Sequence, residues 1–128
     1  MNELTPRHGA PAARELAVVA ARAADAKSAT DIVVLDVDEA IGICDHFVIA
    51  SAGNEPQVKA IVDSVEDGLK EHGQSPWHVE GMSNRQWVVL DYVHFVVHVF
   101  RREARENYLL ERLWGDAPRE DLVGSDDS

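Results

Sequence analysis

The most constraining part of the 128-residue sequence is the stretch SAGNEPQVKAIVDSVEDGLKEHG, residues 51–73. Asn54 can accept a hydrogen bond from the open first turn of a helix, and Pro56 fits that turn because it has no N–H to satisfy. Gly73 stands where a helix ends in a left-handed residue. Between these stops Val58, Ile61, Val62, Val65 and Leu69 fall on one face, while Lys59, Asp63, Glu66 and Lys70 fall on the other. A helix with one such stripe has to lie against something flat and apolar, and the rest of the chain must supply it.

Short β-branched runs do so. DIVVLDV (31–37), DHFVIAS (45–51), WHVEGM (from Trp77), QWVVLDY and FVVHVF each read as a strand. The last two abut, and one strand of that length would far exceed the usual ~5–6 residues. A turn is therefore expected at Tyr92-Val93-His94, although no Gly, Asn or Pro marks it. Helical spacing recurs twice more. Leu16, Val19, Ala20 and Ala23 form a stripe within Ala12–Lys27, and RREARENYLLERLW (101–114) offers Ala104, Tyr108, Leu109, Leu113 and Trp114 for packing. The order helix, two strands, helix, three strands, helix predicts an α/β fold with a mixed five-stranded sheet flanked by helices, its last three strands mostly antiparallel. The expected organisation is a flexible lead-in over 1–10, one domain over 11–115 and an acidic, disordered tail over 116–128.

Bulk properties narrow the function classes. No apolar run approaches the ~20 residues of a membrane span, and the N-terminus lacks the basic-then-apolar order of a signal peptide. Cys44 is the only cysteine, which fits a reducing compartment, so a cytoplasmic protein is expected. The formal net charge of −11 argues against direct binding to nucleic acid, whose affinity comes from Lys and Arg. Acids dominate 36–67 and the tail, whereas 101–114 mixes arginines with glutamates. Such a surface suits a basic protein partner, such as one that normally lives on RNA.

Catalytic constellations are weak. His94 and His98 have the spacing of a zinc-protease pair, but on a strand four residues span ~13 Å, too far for one ion. The glutamate of that motif is also absent, so no metal site is expected there. Cys44 and His46 could share a strand face, yet nothing supplies an oxyanion hole. Asp36 and Asp38 end a strand and are read as solvated. The Ser51–Asn54 loop enters a helix and could offer N–H groups to an anion, but it lacks the full glycine fingerprint. Trp87, Tyr92, Tyr108 and Trp114 are interleaved with charged residues, the usual content of a protein-binding hot spot. Core anchoring of Tyr108 and Trp114 is an equal reading.

In order and spacing, DIVVLDV, CDHFVIASAGNEPQVKAIVDSVEDGLKEHG, VEG, QWVVLDY, VVHVF and REARENYLLERLW resemble the Iojap-related ribosomal silencing factor family, RsfS. The resemblance covers about Glu15 to Asp116 and includes the closing signature Arg105, Tyr108, Leu110-Glu111 and Leu113-Trp114. It implies a nucleotidyltransferase-like fold without enzymatic activity, cofactor or metal. It implies a repressor that binds the large ribosomal subunit through ribosomal protein L-fourteen, blocks joining with the small subunit and slows translation under nutrient limitation. A homodimer in the free state is also implied. Carried over by position, the partner-binding residues are Glu80, Trp87, Asp91, His98, Arg105, Tyr108 and Leu109, with Gly81 shaping the entry to the Trp87 strand. Two departures stand out: Val93-His94 replaces a usual Gly-Asp turn, and Cys44 a usual threonine. The alternative is a residual nucleotide-binding enzyme using Asp36, Asp38 and the Ser51–Asn54 loop.

Overall fold

The computed structural model of the chain describes residues 9–37, 46–108 and 119–121, with side chains for 13–37 and 46–105. Its elements are α1 (Gly9–Asp25), β1 (Thr30–Asp36), β2 (His46–Ala52), α2 (Glu55–Lys70), β3 (His78–Glu80), β4 (Trp87–Asp91), β5 (Phe95–Arg101), α3 (Arg102–Tyr108) and β6 (Arg119–Asp121). They build one mixed sheet in the order β3-β4-β5-β2-β1-β6. The β2–β5 pairing at its centre is parallel, and every other pairing is antiparallel.

All five expected strands are present, and β6 adds a sixth. Arg119, Glu120 and Asp121 pair with Leu35, Val34 and Val33, so part of the span read as a disordered tail is an edge strand. Its charged composition hid it, yet charge is what protects an exposed edge from pairing with other molecules. The helix expected from Ala12 begins at Gly9. The Asp38–Cys44 connection, residues 109–118 with the Leu110-Glu111 and Leu113-Trp114 signature, the first eight residues and 122–128 lie outside the described residues.

The predicted stops of α2 do their work. The Asn54 side chain accepts a hydrogen bond from the Gln57 N–H at 2.8 Å, Pro56 lies in the first turn, and Gly73 has φ +77°. Val58, Ile61, Val62, Val65 and Leu69 are all buried, against the sheet and against α1. The alanine-rich α1 has small side chains on its buried face, Ala17, Ala20, Ala21 and Ala24, so the two helices approach closely. Gly68 lies beside Ala23 and Val19, and the Ser64 hydroxyl donates to the Ala23 carbonyl at 2.9 Å. Together the helices seal one face of the sheet.

The other face carries a second apolar cluster of Val33, Leu35, Val37, Phe47, Ile49 and Phe100, joined by Ala104 of α3. Strand register decides this division. Because side chains alternate, the cross-strand rows Glu80/Val89/His98/Ile49/Val33 and His78/Asp91/Val96/Phe47/Leu35 both point away from α1 and α2. Glu80, Trp87, Asp91, His98 and Arg105, all singled out above for partner binding, therefore share one side of the sheet.

Candidate functional site

Trp87, at the start of β4, is the centre of this side. Its indole N–H donates to Nδ1 of His98 at 3.0 Å, and its ring stacks on Phe100 with centroids 5.1 Å apart. Phe47 meets His98 edge-on at 4.5 Å. Held by a hydrogen bond and two aromatic neighbours, the half-buried indole has little rotamer freedom left to lose on binding.

His98 differs from Trp87 in being buried. Desolvation pushes its pKa down to about 3, so the ring is neutral at physiological pH. Since Nδ1 accepts from Trp87, the ring proton sits on Nε2, and that N–H has no hydrogen-bond partner. His98 thus meets Trp87 as a neutral, buried acceptor.

Arg105 is buried as well, and its Nη1 donates to the Asp31 carbonyl at 2.5 Å and to the Ser51 hydroxyl at 2.7 Å. The Asp31 carbonyl is available because β1 is irregular there: its register with β2 shifts between Thr30 and Val33, and Asp31 has φ +51°. One guanidinium therefore ties α3 to β1 and β2. Hydrogen bonds of this charged kind contribute roughly 1.5–3 kcal/mol each. The Tyr108 side chain and Leu109 lie outside the described residues.

Asp91 closes the β4–β5 turn. Its Oδ1 accepts the Val93 N–H at 2.8 Å, while the His94 N–H donates to the Tyr92 carbonyl at 2.9 Å. With φ +77° at Val93, the turn has the strained γ form. The hairpin thus forms without the usual Gly-Asp pair, at a backbone cost of ~1–2 kcal/mol for a β-branched residue in left-handed space. Glu80 is exposed on β3 and pairs with His78 at 2.7 Å. Next to it Gly81, at φ +93°, is obligatory, since a Cβ there would lie 2.0 Å from the Trp87 carbonyl oxygen. Its lack of a side chain lets the β3–β4 connection cross over the start of the Trp87 strand.

Of the groups proposed for nucleotide binding, those of the Ser51–Asn54 loop are engaged elsewhere. Ser51 is buried beneath Arg105, the Gly53 N–H donates to Gln57 Oε1 at 2.7 Å, and Asn54 caps α2. Asp38 and Cys44 lie outside the described residues. His94 is in the exposed turn while His98 is buried in β5, and among the described residues no three His, Cys, Asp or Glu side chains are grouped to hold a metal ion. Sequence reading missed Trp77 and Val79, which with Val93 are the large apolar side chains left exposed among the described residues, at 77%, 37% and 50%. The only signal was the position of Trp77 just before a very short strand.

The family model described as "Ribosomal silencing factor during starvation" matches residues 10–128. The chain belongs to the ribosomal silencing factor family. It is 40% identical over 104 residues to "Ribosomal silencing factor RsfS" of Bacillus subtilis (strain 168), a match spanning 81% of this chain and 88% of that one. It is 31% identical over 91 residues to "Mitochondrial assembly of ribosomal large subunit protein 1" of Mus musculus, covering 69% of this chain and 40% of the mouse protein. The crystal structure of protein CV0518 from Chromobacterium violaceum superposes with a TM-score of 0.77 at 32% identity, covering 80% of this chain and 85% of that one. A silencing-factor fold is therefore shared along with the sequence. Among the described residues no helix is long and apolar enough to cross a membrane.

Proposed function

We propose that this silencing factor is a non-enzymatic, cytoplasmic translational repressor that binds the large ribosomal subunit through ribosomal protein L-fourteen. Bound there, it sterically blocks the small subunit and slows translation when nutrients are limiting. The observation that carries this reading is the immobilised Trp87, which shares with the acids Glu80 and Asp91 the sheet side opposite the two long helices. A rigid aromatic is the usual anchor of a protein interface, and acids on the same sheet side match a basic ribosomal protein. Family membership and the large-subunit name of the mouse relative support the same reading. Glu80, Trp87 and Asp91 are assigned to direct contact, together with Tyr108 and Leu109. His98 and Arg105 act from below as supports. In the free state the chain is proposed to form a homodimer.

The test is co-sedimentation of the full chain with isolated large and small subunits across a salt series. Selective, salt-weakened pelleting with large subunits is expected. Trp87→Ala and Asp91→Asn should each weaken it by more than ~1 kcal/mol. Asp91→Asn is preferable to charge reversal because it removes the charge and keeps an oxygen for the Val93 N–H. Equal pelleting by both variants would refute the contact assignment.

A further inference from the structure

The three large apolar side chains left exposed among the described residues are not scattered. Trp77 leads directly into β3, and its N–H donates to the Asp91 carbonyl at 2.7 Å. Val79 is the middle residue of β3, and Val93 lies two residues beyond Asp91, in the β4–β5 turn. All three therefore belong to the β3 end of the sheet. β3 is also the terminal strand there, and every one of its residues is exposed. A terminal strand bonds to one neighbour and turns alternate N–H and C=O groups outward.

The two edges of the sheet are managed differently. At the other end, β6 is Arg-Glu-Asp, a charged strand that discourages further pairing. β3 carries an exposed valine instead, and a 77% exposed tryptophan immediately precedes it. Soluble proteins seldom leave such groups together at an open edge without a use for them.

Charge identifies the occupant. Glu80 is the last residue of β3 and Asp91 pairs with its first, His78, and the Glu66 carboxylate of α2 is close enough to help raise the Tyr92 hydroxyl pKa, after burial, beside the turn. The whole chain carries −11. A second copy joined at this edge would bring the same acids against each other, whereas a lysine- or arginine-rich strand would be attracted; the homodimer proposed above therefore uses another surface.

We propose that the free edge of β3, with Trp77, Val79 and Val93, is a docking site for an extended basic segment of a protein partner, which adds to the sheet as a seventh strand. Main-chain hydrogen bonds supply part of the affinity, and the tryptophan supplies the anchor. This surface goes beyond the Trp87 contact and stands or falls separately from it.

The probe is a blocked hexapeptide of alternating lysine and valine, added to the ¹⁵N-labelled full chain, with alternating glutamate and valine as control. The lysine peptide is expected to shift the amide signals of residues 77–80 and to slow hydrogen exchange at β3. High salt should weaken the effect. The exposed Trp77→Ser change should reduce affinity by about tenfold without altering the remaining spectrum. Unmoved β3 amides, equal binding of the two peptides, or the same shifts produced by protein concentration alone would overturn the proposal, the last by making a second copy the occupant. Ribosome pelleting without peptide binding would remove this site and keep the silencer reading. The reverse result would keep the site and remove that reading.

Discussion

The two faces of the sheet solve burial in different ways. The face under α1 and α2 is lined by Ile32, Val34, Val48, Ala50, Val88, Leu90, Val97 and Val99, aliphatic side chains that ask only for close packing. The face that carries Trp87 buries His98, Arg105 and Ser51 among its apolar residues. Buried polar groups have to be satisfied one by one, so they fix geometry more than they add stability. One face holds the domain together, and the other holds a surface in a defined shape.

This contrast can be broken experimentally. Truncating the helix-covered face should cost most: Leu69→Ala is expected to lose about 2–5 kcal/mol in denaturant unfolding, with ribosome pelleting unchanged at temperatures where the variant stays folded. Arg105→Met should lose roughly 3 kcal/mol, the low end for two charge-assisted hydrogen bonds, because it removes at least those to the Ser51 hydroxyl and the Asp31 carbonyl and leaves both acceptors unmet. Unlike Leu69→Ala, it should also disturb the amide signals of both α3 and the start of β1.

Acid should act on the polar face through His98. Its folded pKa lies below the unfolded value, so the unfolded chain takes up the proton first. Stability is then full above about pH 6.5 and falls as pH drops toward 3, by at most ~1.4 kcal/mol per unit. His98→Phe should flatten this part of the pH profile and release the Trp87 indole N–H, whose NMR signal would then exchange faster. A profile identical to the parent's would show that His98 titrates normally and is less enclosed than its surroundings imply. The smallest effect is a gain. Val93→Gly should stabilise by roughly 1 kcal/mol, measured as a raised denaturation midpoint, by relieving the left-handed backbone of the turn.

Much of this was legible in the sequence wherever the cause is local. The cap at Asn54, the stop at Gly73 and the stripe from Val58 to Leu69 are written within one helix, and the structure has them as read. The turn at Tyr92-Val93-His94 was legible only through strand length, and the structure explains the missing glycine: Asp91 holds Val93 in a conformation its own side chain disfavours. Other features rest on distant pairings. Nothing near Arg105 announces that it will meet Asp31 and Ser51, and nothing in Arg119-Glu120-Asp121 announces a partner in β1. His98 is the mixed case. Its place in a buried strand was readable, but its support of Trp87 depends on the register of β4 against β5.

The parallel pairing of β2 with β5 also has a consequence in time. β2 sits at the centre of the sheet, but its neighbour on one side is separated from it in sequence by α2, β3 and β4. During synthesis, a chain emerging from the ribosome can form the β1–β2 hairpin early, yet its centre stays open until residues 95–101 have cleared the exit. Contacts of such sequence separation slow folding and leave the apolar edge of β2 uncovered in the meantime. The nascent chain is therefore most exposed to aggregation between the appearance of His46 and that of Arg101.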